Sequence, residues 1–142
     1  MIAINDIRQA LHEFWSSFTD TQTGKPIPAY HDLAAVAMNN RPNPPSMPYI
    51  TYEIARPEFS GATIATANIW DRREQPGFYG LIDDVLMQAS EKIPEGGVII
   101  SLGSGAMIFY RNSTNFTGYL DEPNDNLVTR GIIRYMVYNY IL

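Results

Sequence analysis

Between Phe78 and Ala89 the apolar residues fall where a helix would use them. Phe78, Leu81, Ile82, Val85, Leu86 and Ala89 recur at three- and four-residue spacing, and Asp83, Asp84, Gln88 and Glu91 take the positions between. A helix with a one-sided apolar stripe must cover another layer, so this segment commits the chain to a layered fold with Leu81, Val85 and Leu86 in its core. Pro76 suits the first turn, and Pro94, Gly96 and Gly97 end the helix. A second stripe, Ile4, Ile7, Leu11, Phe14, Trp15 and Phe18, predicts a helix from about Asp6 to Phe18 with Asn5 as its cap.

The layer under these helices must come from the strand-like runs. Tyr49 to Arg56 is aromatic, β-branched and alternating, and Pro57 ends it. Ala62 to Trp70 follows a turn at Gly61 and pairs with it as an antiparallel hairpin. Val98 to Arg111 reads as one strand with a bulge or bend at Gly103 and Gly105. Leu127 to Ile141 is the last and longest strand. Leu127, Ile133, Tyr135, Val137 and Ile141 share one face; Arg130, Arg134, Tyr138 and Tyr140 share the other. Bulky residues on both faces mean a strand covered on both sides or placed at an interface.

Two polar stretches separate these runs. Thr19 to Pro48 holds a short strand at Ile27 to Tyr30, a helical turn at Asp32 to Met38 and an extended RPNPP segment. Asn112 to Asn126 reads as a turn-rich connection. The order helix, strand, strand, helix, strand, strand predicts one α+β domain over residues 1–142, a four-stranded mainly antiparallel sheet with two amphipathic helices packed on one face.

Composition narrows the function. Apolar residues make up 45% of 142, enough for a core, and there is no cysteine, so disulfides, thiolate metal sites and thiol nucleophiles are excluded. No signal peptide is legible at the N-terminus, and no run approaches the roughly 18 apolar residues of a membrane span. A soluble protein is expected. The net charge of −5 disfavours gripping nucleic acid through its phosphates. Eight of the ten basic residues are arginine and nine residues are tyrosine, the two types enriched where proteins touch proteins.

Catalytic patterns are missing. His12 sits off the apolar stripe beside Glu13, and His31 precedes Asp32; neither has a third ligand or a nucleophile at a recognisable spacing, so both read as surface histidines. The stretch SLGSGA lacks the third glycine of a dinucleotide turn and the first glycine of a nucleophile elbow. Asp83 and Asp84 diverge by about 100° on a helix and cannot share a proton. DEPNDN places Pro123 at a ligand position of a calcium loop and reads as a turn. Asn112-Ser113-Thr114 and Asn115-Phe116-Thr117 match glycosylation sequons by chance. No enzyme, metal or cofactor is expected.

One arrangement is more specific. A proline-rich lead runs into an aromatic strand, RPNPPSMPYITYEI from Arg41 to Ile54, and a second strand ends in IWDRR at Ile69 to Arg73. An amphipathic helix, a bent strand and a long Arg- and Tyr-rich strand follow. This order, with the P-P-x-x-P-Y-I-T-Y segment from Pro44 to Tyr52, resembles the tail-terminator (neck) proteins of tailed bacteriophages. The resemblance implies a non-catalytic subunit of a six-membered ring. That ring would cap the tail tube, end its polymerisation and join the tail to the head-completion (connector) complex. DNA would pass the acidic lumen without specific binding, and the protein would reside in the virion tail or neck after assembly in the host cytoplasm.

The stiff Pro-rich segment, the charged turn and the polar face of the last strand supply the candidate subunit or tube interface: Arg41, Tyr49, Asp71, Arg72, Arg73, Glu74, Arg130 and Arg134. Other readings stand beside this one. A small cone-shaped α+β ligand-binding or isomerase-like domain would need a pocket with convergent polar groups. A different head-completion or tail-tube protein would keep the same surroundings.

Overall fold

The computed structural model describes residues 4–31, 45–53, 63–72, 79–103, 105–112, 114–120 and 127–141, with backbone alone at 4 and 139–141. Helix α1 spans Ile4–Trp15 and helix α2 Gly80–Lys92. The strands are β1 (Ala29–His31), β2 (Tyr49–Tyr52), β3 (Thr63–Arg72), β4 (Val98–Leu102), β5 (Gly105–Arg111), β6 (Thr117–Leu120) and β7 (Val128–Ile141). They form one sheet in the order β1-β2-β3-β7-β5-β4, with β6 also on β7. β1 and β2 are parallel and every other pair is antiparallel.

The α+β class and the two helices on one face stand, but the sheet is mixed and seven-stranded, not four-stranded and mainly antiparallel. Three local features account for the difference. Gly103 and Gly105 do not bend one strand; the chain reverses there, and Leu102 pairs with Gly105 in a hairpin. The supposed turn-rich connection contains β6, whose four residues are too few to display a period. The short strand foreseen near Ile27 to Tyr30 does form, and it enters the sheet in parallel with β2. The helical turn expected at Asp32 to Met38 lies outside the described residues, as does Pro76. Asn5 lies inside α1 instead of capping it, and α2 begins at Gly80.

β7 organises the sheet. β3 runs along one edge from Val128 to Val137, while β5 and then β6 run along the other. β5 and β6 are one strand interrupted by an excursion. The Asn112 N–H donates to the Arg134 carbonyl at 3.1 Å, and the Arg134 N–H donates to the Phe116 carbonyl at 2.6 Å. Thr114 and Asn115, between them, stand outside the ladder.

One core joins both helices to one face of the sheet. Ile7, Leu11, Trp15 and Phe18 meet Ile82, Val85, Ala89, Ile69, Ile133, Tyr135 and Val137, all essentially inaccessible. Leu81, Val85 and Leu86 are buried as their spacing predicts. α2 approaches β7 closely because residue 131 is glycine: a Cβ there would lie 2.6 Å from Ile82 Cγ2. Arg111 fastens β5 to the end of α2 by donating from Nε to the Ile93 carbonyl and from Nη2 to the Ser90 carbonyl, each at 2.7 Å. A cation satisfies carbonyls that a helix C-terminus leaves unpaired. The polar segment after α1 docks on α2: the Thr19 N–H donates to Gln88 Oε1, Gln88 Nε2 donates to the Thr19 carbonyl, and Thr21 donates to Asp84.

Candidate assembly surface

Strand alternation gives the sheet a second face, directed away from the helices. Register lays its residues out in rows across the strands. Ile64, Met136 and Tyr110 form one row; Tyr138, Ile108 and Ile99 form the next. Directly opposed side chains in antiparallel pairs sit about 4.5–5.5 Å apart, so these six residues make one apolar patch crossing β3, β7, β5 and β4. Ile64 is 64% exposed, Ile99 68% and Tyr138 38%. A concavity of about 340 Å³ is lined by Ile108, Tyr110, Met136 and Tyr138 together with Glu95 and Arg111. Tyr110 stands edge-on to Tyr138, with ring centroids 5.5 Å apart. It also packs over Gly97, where φ is +85° and a Cβ would lie 2.7 Å from the ring.

Further along, the same face becomes polar and aromatic. Arg134 lies opposite Thr66, Ile132 opposite Asn68 and Arg130 opposite Trp70. The Arg130 guanidinium sits 4.4 Å from the Trp70 ring centroid, and its Nε and Nη2 donate to Asn68 Oδ1 at 3.1 and 2.9 Å. Trp70 Nε1 donates to Thr51 Oγ1 at 3.0 Å. Tyr49, Trp70 and Val128 form a second apolar cluster, against which Tyr30 and Met47 pack. Burial, reinforced by Tyr30, pushes the Tyr49 hydroxyl above the ordinary tyrosine value.

Five of the eight candidate interface residues are described. Tyr49, Asp71, Arg72 and Arg130 gather at one end of the sheet through the β2–β3–β7 ladders. Tyr49 and Asp71 are buried within the subunit, Arg130 is engaged with Trp70 and Asn68, and Arg72 is exposed. Arg134 stands apart from them, next to the apolar patch. Arg41, Arg73 and Glu74 lie outside the described residues. Ile64, Ile99, Ile108, Tyr110 and Met136 were not singled out by sequence. Their signal is present, since Val98 to Arg111 is apolar at both strand parities.

No protein-family model and no curated protein matches the chain.

A different group of residues meets on the helix side. His12 and His31 reach one concavity of about 270 Å³, lined also by Arg8, Gln9 and Tyr52. His12 Nδ1 is 3.4 Å from the Tyr52 hydroxyl, and its Nε2 is 3.4 Å from Ser16 Oγ. Both histidines are exposed, as their sequence positions suggest. Their convergence follows from α1 crossing the β1–β2 edge, where His31 is paired with Tyr52. Among the described residues no three of His, Asp and Glu are grouped to hold a metal ion, and no helix is long and apolar enough to cross a membrane.

Proposed function

We propose that the protein is a structural subunit of a homo-oligomeric ring, of the tail-terminator type, and not an enzyme. The observation that carries the reading is the apolar patch of Ile64, Met136, Tyr110, Tyr138, Ile108 and Ile99 on the sheet face that the helices leave uncovered. An antiparallel sheet with one solvated face alternates apolar and polar residues, and apolar residues on both faces call for a second covering layer. In a ring a neighbouring subunit supplies that layer, each copy offering the same two half-interfaces. The place of the ring, a hexamer on the end of the tail tube that meets the head-completion complex and lets DNA through, rests on the resemblance of the Pro44–Tyr52 segment. It carries with it a location in the virion tail or neck.

The test is mass in solution at rising concentration, then with isolated tail tubes present. A ring mass, or binding to tube ends with arrest of tube growth, is expected. A monomer that leaves tube length unchanged would sink the reading. The alternative, a small ligand-binding or isomerase-like domain, draws support from the concavity shared by His12, His31 and Tyr52, and it moves ahead in that case.

A further inference from the structure

We propose that the concavity between α1 and the β1–β2 edge binds a small phosphate anion, free or as a monoester. It lies on the helix side of the sheet, away from the apolar patch, and does not depend on the ring reading.

Among the described residues the lining comprises one guanidinium, two imidazoles, a phenol and a carboxamide, from Arg8, His12, His31, Tyr52 and Gln9, and no carboxylate. In a chain of net charge −5 this is a local reversal of sign that gathers both histidines. The closest acid along α1, Glu13, accepts a hydrogen bond from Gln9 Nε2 at 3.1 Å and does not line the concavity. Arg8 and His31 make no side-chain hydrogen bond or ion pair among the described residues, so their donors are available to a ligand.

The site is anchored from below. Tyr52 is 4% exposed and its ring is stacked on Trp15 at 6.4 Å, so its hydroxyl has a fixed position. Burial raises the Tyr52 pKa, which keeps the hydroxyl a donor. His12 is bracketed by two hydroxyls, which accept as readily as they donate, and these fix the orientation of its ring. The Arg8 guanidinium fork and the His31 imidazole, beside the paired Tyr52 and His12, present more donors than a carboxylate can use, and they suit the several acceptor oxygens of a phosphate. The volume lies near the lower end of small-molecule sites, roughly 300–1,000 Å³, which favours phosphate with at most a small organic body.

Proton NMR of the imidazole Cε1–H groups tests this directly, because the chain contains only two histidines. Inorganic phosphate is titrated into the intact protein at constant ionic strength and pH, with acetate and glycerol phosphate in parallel. Both histidine signals should move together and saturate with one Kd for phosphate, and acetate should bind more weakly. Arg8→Gln should weaken phosphate by about tenfold or more, while Lys25→Gln, on the loop docked to α2, should change nothing. Tighter binding of glycerol phosphate than of inorganic phosphate assigns a monoester; weaker binding assigns free phosphate. Both support the site. Non-saturating shifts, acetate binding equal to phosphate, or an unchanged Kd in folded Arg8→Gln protein would overturn it.

Discussion

Tyr135 carries its hydroxyl into the middle of the core, between Trp15 and Phe109, with ring centroids 5.4 and 5.1 Å away. Neither the hydroxyl nor Trp15 Nε1 makes a well-formed hydrogen bond, although the indole N–H acts on the phenol oxygen as a weak donor. Burial pushes the Tyr135 hydroxyl far up, against the smaller opposing effect of that donor, and burial raises Tyr49 and Tyr52 as well. The sign of the linkage follows. Each folded-state pKa lies above the unfolded value near 10, so folding favours the neutral phenol. That contribution is complete below about pH 10 and is lost as pH rises towards the folded-state values. Urea midpoints should therefore hold steady up to roughly pH 10 and fall beyond it. Tyr135→Phe should make the fall shallower without a large loss at neutral pH, because it removes a buried hydroxyl that lacks a good partner. An equally steep alkaline fall in the variant would place the titrating group elsewhere.

At the scale of elements, the contact between α2 and β7 depends on one missing side chain. Gly131 is paired with Ile69 in β3, and the Cβ of any other residue would meet Ile82 Cγ2 at 2.6 Å. That methyl is attached directly to a branch point and cannot swing away cheaply, so relief requires α2 to lift from the sheet. Gly131→Ala should destabilise the fold by about 1–3 kcal/mol, the usual range for overpacking. Equilibrium denaturation checks this, and a change within about half a kcal/mol would mean that α2 is free to shift. The helices were legible in sequence because their stripes are local and long. β6 was not, since four residues with a glycine among them carry no period. The reversal at Gly103 looks like a bend in sequence because a glycine pair marks either outcome, and only the pairing of Leu102 with Gly105 separates them.

For the whole molecule, the uncovered sheet face sets the behaviour to expect. Ile64 and Ile99 are more than half exposed, so charge at either position costs the monomer little, and yet both lie in the patch assigned to the ring contact. Ile64→Lys with Ile99→Lys should keep the melting temperature near that of the parent and abolish concentration-dependent self-association, as seen by sedimentation. Association that persists in the folded double variant would move the contact away from this face. Of the interface candidates chosen by sequence, Arg134 stands beside the patch, whereas Tyr49 and Asp71 are inside the subunit. Charge and aromaticity mark residues able to make contacts, and they do not tell whether the partner is a neighbouring chain or the next strand.

The sequence by itself determined the two helices, the faces they bury and which residues of the last strand share a side, because periods of 3.6 and 2 are written into consecutive residues. Tertiary structure alone decided how the strands are ordered, that β1 enters in parallel, that six apolar residues from four strands line up on one open face, and that His12 and His31 meet. Each of these depends on pairing between segments distant in the chain. Such pairing is settled by which faces can be buried together and leaves no local trace in the sequence.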